Sequence, residues 1–154
     1  MFLSGGCACR SIRYECTEEP IVQLICHCRA CQRASGSAFA AVMMVAADKF
    51  RFLGDEPSYH EVIGGTTGRR FRRGFCAKCG SPVTLHWPEI SNLQMIQVGS
   101  LDDPSSFMPQ TELWLSSSYS WHSVNSSTLK FEGRPITGVK DRLDAYFANR
   151  AALD

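Results

Sequence analysis

Cysteines that lie close together along the chain most constrain what this sequence can fold into. Seven of the eight cysteines fall into three short segments. These segments are Cys7-Ala8-Cys9, Cys26-His27-Cys28-Arg29-Ala30-Cys31 and Cys76-Ala77-Lys78-Cys79. Thiolates at such spacing can converge on one ion with little backbone distortion, which is typical of zinc ligands. A disulfide framework is the less favoured alternative, because neighbouring thiols of this kind make poor structural crosslinks. The spacing therefore predicts zinc sites on turns.

Length and composition predict one soluble globular domain over residues 1–154. The chain is 44% hydrophobic and 20% charged, which is ordinary for a folded domain. A net charge of +1 gives no global field that would recruit nucleic acid or an anionic membrane. We find no signal peptide pattern at the N-terminus and no apolar run of the ~20 residues that span a bilayer. A cytoplasmic location, where thiols stay reduced, is expected.

Alternation of polar and apolar residues predicts short strands along most of the chain. The predicted strands cover residues 10–16, 21–25, 39–45, 49–53, 59–63, 69–75, 82–87 and 93–98. A glycine-rich loop at 64–68 predicts a hairpin between two of them, and the serine-rich stretch 116–127 is predicted to be mostly loop. One or two helical turns are expected over 29–35, ending at Gly36, and an amphipathic helix over 139–153. The sequence thus predicts a mainly β fold with short helical segments.

The three cysteine segments occur in a characteristic order with two flanking motifs. Gly5-Gly6 precedes the first segment, and Gly99-Ser100-Leu101-Asp102-Asp103-Pro104 follows the last. In this order the motifs resemble those of the glutathione-dependent formaldehyde-activating enzyme family, which also contains centromere protein V. The resemblance covers about residues 5–133 and leaves a C-terminal helical extension at about 138–153. It implies a β-tent zinc fold with up to two zinc ions.

The resemblance also implies roles for individual residues. Cys7, Cys9, Cys76 and Cys79 match the family's structural zinc ligands, and Cys26, Cys28 and Cys31 match those of its second, catalytic-type zinc. The implied activity is that of a carbon–sulfur lyase, which adds the thiol of glutathione to formaldehyde to give S-(hydroxymethyl)glutathione. Two positions depart from the family pattern and bear on the substrate. Arg10 stands where glycine is common, and Glu112 stands where histidine is frequent.

The number of ligands in each cysteine group suggests its role. Four thiolates close a tetrahedral structural site, whereas three leave a position open to water or substrate. A second structural site with a remote fourth ligand, or a loop that holds no zinc, remains an alternative for Cys26, Cys28 and Cys31. In an extended segment His27 points away from Cys26 and Cys28. It is therefore a candidate hydrogen-bonding or substrate-pocket residue, with direct ligation and a solvated loop position as alternatives.

Arginine pairs and aromatic residues supply the other candidates. Arg70 and Arg72 share one face of a predicted strand and suit the carboxylates of glutathione, or they form a solvated face. Asp102 and Asp103 are predicted turn residues, with acid–base work as the alternative. The aromatic residues Trp114, Tyr119, Trp121 and His122 are expected either to wall a pocket or to pack in the core. Cys16 is predicted to be a small buried hydrophobic residue.

Two functions are compatible with these features. The favoured one is a zinc-dependent enzyme that joins a thiol such as glutathione to a small aldehyde. The alternative is a non-catalytic, zinc-stabilised module that recognises a protein partner. An open zinc position that exchanges thiol ligands distinguishes the two, because a binding module needs none.

Overall fold

The structure, a computed structural model, describes residues 3–63, 68–134 and 138–152. In these residues the chain forms eleven strands and two α-helices. The strands are β1 (Leu3–Gly6), β2 (Arg13–Cys16), β3 (Val22–Cys26), β4 (Ala40–Ala46), β5 (Phe50–Phe52), β6 (Ser58–Ile63), β7 (Arg70–Phe75), β8 (Pro82–His86), β9 (Leu93–Gln97), β10 (Thr111–Leu113) and β11 (Leu129–Phe131). The helices are α1 (Arg29–Ser35) and α2 (Val139–Ala151). The prediction of a mainly β chain with short helical segments is confirmed.

Residues of the chain group into two compact units, each built from two stretches of sequence. The first unit comprises Met1–Pro20 and Val42–Phe107, and the second comprises Ile21–Ala41 and Met108–Asp154. The prediction that residues 1–154 form one domain stays a prediction.

A small antiparallel sheet in the first unit joins β1, β2 and β5. The inward face of β2 and its approach carries Ile12, Tyr14 and Cys16, each at most 1% exposed. This alternation follows the sequence pattern, because successive strand residues point to opposite faces. The Tyr14 hydroxyl is hydrogen bonded to Ser100 Oγ at 2.8 Å inside this core. Cys16 is a small buried residue, as predicted.

A second set of strands in the first unit forms an antiparallel ladder. Most of β4 pairs with β9. Strand β9 pairs in turn with β8, β8 with β7, and β7 with β6. The last five residues of β4, Val42–Ala46, are all buried, as their apolar and partly β-branched sequence predicts. Strands β6 and β7 form the predicted hairpin, and the residues 64–67 of its predicted loop lie outside the described ranges. Strand β7 leads directly into Cys76.

The second unit contains β3, β10, β11 and both helices. Strand β10 pairs in parallel with β3 and with β11. The last residue of β3 is Cys26, and α1 begins three residues later and ends at Gly36, whose φ of 63° lies in the left-handed region that glycine tolerates. At the start of α2 the Gly138 N–H donates to the Asp141 carboxylate at 2.9 Å. This helix confirms the predicted C-terminal helix as far as Ala151.

Within the described part of the chain no helix has the length and apolar character needed to cross a membrane.

Candidate metal centres

Four cysteine thiols meet in the first unit. The Sγ atoms of Cys7, Cys9, Cys76 and Cys79 all lie within 4.8 Å of one another. The Cys7 and Cys9 sulfurs are 3.4 Å apart, and those of Cys9 and Cys76 are 3.7 Å apart. A tetrahedral zinc with zinc–sulfur bonds of about 2.3 Å requires sulfurs about 3.8 Å apart. The four thiols therefore fit a closed tetrahedral site.

Two tight turns present these thiols. In the first, the Arg10 N–H donates to the Cys7 carbonyl at 2.9 Å, and in the second the Gly80 N–H donates to the Cys76 carbonyl at 2.8 Å. Each turn requires a left-handed residue, and φ is 63° at Arg10 and 76° at Gly80. A non-glycine residue pays roughly 1–2 kcal/mol for this conformation. This explains physically why glycine suits position 10 and shows that the arginine departure leaves the turn intact.

Two serine hydroxyls lie beside the four-thiol group. Ser11 Oγ lies 3.3 Å from Cys9 Sγ and 3.4 Å from Cys76 Sγ, and Ser81 Oγ lies 3.2 Å from Cys79 Sγ. The hydrogen bond from Ser81 lowers the pKa of the Cys79 thiol to about 5. Burial raises the pKa of Cys7, but the Ile12 N–H and the Ser11 hydroxyl outweigh it and bring the value to about 7. These donors favour the thiolate form of Cys7 and Cys79, which is the form in which cysteine binds a metal.

Three further thiols meet in the second unit. The Sγ atoms of Cys26, Cys28 and Cys31 lie within 4.8 Å of one another, and among the described residues no other His, Cys, Asp or Glu ligand atom joins the group. Cys26 ends β3, Cys28 is the N-cap of α1, and Cys31 lies in its first turn. The Cys31 N–H donates to Cys28 Sγ at 3.4 Å, so the strand-to-helix junction itself gathers the thiols.

Crowding of these thiols shifts their pKa values in opposite directions. Hydrogen bonds from Cys26 and Cys31 hold the pKa of Cys28 far below its ordinary value, whereas the contacts with Cys28 and Cys31, together with burial, raise the pKa of Cys26. One thiol in the group thus ionises readily, and the next must ionise against an adjacent negative charge. A bound cation removes this conflict, because it favours the thiolate form of every ligand. The donor set fits a zinc ion held by three protein ligands.

The imidazole of His27 is hydrogen bonded to a carboxylate and is not grouped with the thiols. It is fully buried, and its Nε2 is 2.9 Å from Glu112 Oε2. Its Nδ1 has no hydrogen-bond partner among the described residues. The burial of His27 shows that its solvated loop alternative is wrong, and its bond to Glu112 agrees with a hydrogen-bonding residue, whereas its role in a substrate pocket stays a prediction. The metal-ligand group of the second unit contains the three cysteines and not His27.

Glu112 is a functional candidate that sequence reasoning singled out only as a departure from the family pattern. It is fully buried, and its Oε1 accepts hydrogen bonds from the Asn125 N–H at 2.7 Å and from Thr128 Oγ1 at 2.9 Å. Burial raises its pKa, but the hydrogen bonds from His27, Asn125 and Thr128 outweigh that effect and lower it. A buried carboxylate with three hydrogen-bond donors thus contacts the three-thiol segment at His27. The parallel pairing of β10 with β3, which places it there, has no signal in the sequence.

The predicted substrate residues Arg70 and Arg72 belong to the first unit, whereas the three-thiol group belongs to the second. Both are exposed on one face of β7, as the alternation predicted. Arg70 forms an exposed ion pair with Glu61 at 3.5 Å, and the Arg72 guanidinium lies 4.6 Å from the centre of the Tyr59 ring. Both thus have partners within their own hairpin.

Asp102 does more than the turn role predicted for it. Its carboxylate accepts hydrogen bonds from the Arg13 guanidinium and from the Ser4 hydroxyl, the latter at 2.7 Å. These donors lower the pKa of Asp102 to about 2. The Asp103 carboxylate accepts the Ser105 N–H at 2.9 Å, as expected of a turn. In the described residues neither aspartate joins a metal-ligand group.

Aromatic residues of the second unit gather near His27. The His122 ring lies 5.7 Å from the His27 ring and 4.9 Å from the Phe39 ring, measured between centroids. Tyr119 and Trp121 stack with centroids 5.0 Å apart and line a surface cavity. The sequence left core packing and a pocket wall as alternatives for these residues, and for Tyr119 and Trp121 the pocket wall is correct.

A mainly β chain with a four-thiol and a three-thiol group defines a class of candidate zinc proteins and is consistent with a β-tent zinc fold. The chain belongs to the glutathione-dependent formaldehyde-activating enzyme family, whose model matches residues 2–117. No curated protein matches the sequence. Among solved structures, a structural-genomics crystal structure of a Rhodobacter sphaeroides protein is similar at 18% identity with a TM-score of 0.48. That match covers 64% of this chain and 87% of the other.

Proposed function

We propose that this chain is a zinc-dependent enzyme of the carbon–sulfur lyase type. It adds a thiol to formaldehyde or another small aldehyde. The family to which the chain belongs points to glutathione as this thiol. The observation that supports the proposal is the three-thiol group, which would give a zinc ion three protein ligands and leave its fourth position for a substrate.

The two cysteine groups have different roles in this proposal. Cys7, Cys9, Cys76 and Cys79 would hold a structural zinc, since four thiolates complete the tetrahedron. Cys26, Cys28 and Cys31 would hold the working zinc. A zinc ion bound there would supply positive charge that favours the thiolate form of the substrate thiol at neutral pH.

The addition itself is balanced without an oxidant or reductant. The thiol sulfur forms a bond to the carbonyl carbon, and the π electron pair of the carbonyl moves to its oxygen. That oxygen takes up the proton that the thiol has lost, giving a hydroxymethyl thioether. The reverse reaction breaks the same carbon–sulfur bond.

In this scheme the residues of the chain bind and orient the substrate. His27 is buried, so we propose that it acts on the substrate site through the backbone of 26–28, which its bond to Glu112 fixes. The sequence prediction that Arg70 and Arg72 bind the carboxylates of the thiol stays a prediction. A cytoplasmic location is proposed because thiol ligands must stay reduced.

The test measures zinc content and turnover on one preparation. Native mass spectrometry of the zinc-loaded protein should show two zinc ions per chain. The same preparation should speed the formation of S-(hydroxymethyl)glutathione, and NMR exchange spectroscopy measures that rate. Cys31→Ser should abolish this acceleration, whereas Cys16→Ala, which removes a thiol outside both groups, should retain it.

Cobalt substitution tests the open position directly. Glutathione added to the cobalt-loaded protein should change the sulfur-to-cobalt charge-transfer band, because a fourth thiolate joins the metal. An unchanged band together with no turnover, at full metal loading, would contradict the enzyme and favour the zinc-stabilised binding module.

A further inference from the structure

A surface cavity adjoins the helix that carries two of the three clustered thiols. Its volume is about 310 Å³, which lies at the lower end of the range for small-molecule sites. Its lining residues all belong to the second unit. We call it the α1 pocket, and it is lined by Arg29, Gln32, Arg33, Gly36, Ser37, Ala38, Tyr119 and Trp121.

Charge in the α1 pocket is of one sign. Arg29 and Arg33 are four residues apart on α1, so they lie on the same side of the helix. The lining contains two arginines and neither aspartate nor glutamate. Arg33 is exposed, and no ion pair joins it to an acid among the residues described. The pocket therefore offers an anion a guanidinium that has no competing carboxylate.

One wall of the pocket is fixed by hydrogen bonds. Arg29 donates to Gln32 Oε1 and to the Tyr119 hydroxyl, and its guanidinium carbon lies 5.6 Å from the centre of the Tyr119 ring. Gln32, which is 4% exposed, donates from Nε2 to the Ser117 carbonyl at 2.9 Å. These bonds tie α1 to the aromatic segment, so the wall is preorganised for a ligand.

Trp121 supplies an apolar surface beside these charges. It is 72% exposed, although its ring is stacked on Tyr119 at an interplanar angle of 13°. A flat aromatic face next to an arginine suits a small ligand with an anionic end and a peptide-like body.

The position of α1 relates the pocket to the clustered thiols. Cys28 is the N-cap of α1, and Gln32 of the pocket lining follows four residues later, so the two lie on the same side of the helix. Arg33 comes next, about 7.5 Å along the helix axis from Cys28 at 1.5 Å per residue. An extended tripeptide such as glutathione spans about 10 Å at about 3.5 Å per residue, which exceeds this axial separation.

We propose that the α1 pocket binds a carboxylate of the thiol substrate, with Arg33 as its principal contact and with Trp121 covering the peptide body. This inference rests on the proposed function, because it takes the thiol to react at Cys26, Cys28 and Cys31. It assigns to Arg33 a specificity role that sequence reasoning gave to Arg70 and Arg72.

A comparison of two thiol substrates provides the kinetic test. Glutathione carries carboxylates, and 2-mercaptoethanol carries none. Arg33→Gln should raise KM for glutathione about tenfold, the loss expected for one charged hydrogen bond, and should leave kcat unchanged. Turnover of 2-mercaptoethanol should be unaffected, which also shows that the variant is folded. Arg142→Gln, an exposed helical arginine of the same unit, is the matched control and should change neither thiol.

S-methylglutathione separates this inference from the proposed function, since it keeps the carboxylates and has no thiol. NMR titration should show that it binds the wild-type protein about tenfold more tightly than Arg33→Gln, with or without turnover. Such binding in a protein that turns over neither thiol would overturn the enzyme and retain the pocket. Turnover of glutathione that Arg33→Gln leaves unchanged would overturn the pocket and retain the enzyme. Equal changes of KM or of binding in Arg33→Gln and Arg142→Gln would also overturn the pocket.

Discussion

At the scale of single residues, Glu112 shows how a departure from a family pattern can be accommodated. A buried carboxylate is costly unless its oxygens accept hydrogen bonds. Here both oxygens accept such bonds, one from Asn125 and Thr128 and the other from His27. His27 is therefore held with Nε2–H toward Glu112, which also fixes the backbone between two thiols. The residue at position 112 thus bears on the metal loop through His27 and not through a thiol.

Replacing this carboxylate by an amide should expose the tautomer that it imposes. In Glu112→Gln the amide oxygen can serve Asn125 and Thr128, which leaves the NH₂ group facing His27. His27 must then accept at Nε2 and carry its proton on Nδ1, where no described residue accepts it. We expect a loss of about 1–3 kcal/mol in the free energy of unfolding at pH 7. Urea denaturation measures the loss, and ¹⁵N chemical shifts report the change of tautomer.

The pH dependence of that loss follows from the lowered pKa of Glu112, whose ordinary value is 4.5. A lowered folded-state pKa gives stability that is complete above the unfolded value and is lost as pH falls through the folded value. The gap between wild type and Glu112→Gln should therefore shrink below about pH 4. Both proteins are compared at equal zinc content, checked by native mass spectrometry, so that metal loss in acid does not enter the difference. Glu132→Gln, an exposed acid of the same unit, should show no gap, and a pH-independent gap for Glu112→Gln would contradict the assignment.

At the scale of elements, the sequence specified what local pattern determines. The helical turn after Cys28 and its end at Gly36 were predictable, because a left-handed glycine stops a helix. The β6–β7 hairpin was predictable from alternation around a glycine-rich loop. Strands β10 and β11 were not, since each has three residues and owes its conformation to parallel partners distant in sequence. Glu112 lies on β10, so its contact with His27 was hidden for the same reason.

Two of these elements, the turn after β1 and the turn after β7, share the four-thiol group. Cys79 is exposed there, so its side chain contributes little by burial. If it holds a structural zinc, Cys79→Ser should lower the free energy of unfolding by about 4 kcal/mol or more, against about 0.5 kcal/mol for an ordinary surface change. Native mass spectrometry should show one zinc fewer.

Lys78 provides the matched control for this change. It is exposed in the same turn and pairs with exposed Asp55 at 2.7 Å, a solvent-screened contact that contributes little to stability. Lys78→Ala should therefore retain both zinc ions and nearly full stability. A Cys79→Ser protein that melts like Lys78→Ala would argue against a structural metal.

At the scale of the whole molecule, each compact unit contains one complete cysteine group. The four-thiol group is built from residues 7–9 and 76–79 of the first unit, and the three-thiol group from residues 26–31 of the second. Each metal would therefore stabilise its own unit. The ligand counts predict unequal retention, because a zinc with three protein ligands has one position through which a chelator can enter.

Stepwise chelation should separate the two sites. With increasing EDTA, native mass spectrometry should show first one zinc lost and then the second. Hydrogen exchange should quicken in β3 and α1 at the first step, because Cys26, Cys28 and Cys31 lie at their junction. It should quicken at residues 7–12 and 76–81 only at the second step. Cys31→Ser should remove the first step alone, and Cys79→Ser the second. Simultaneous loss of both ions, with exchange rising everywhere at once, would contradict independent sites and would instead support the single cooperative domain that the sequence predicts.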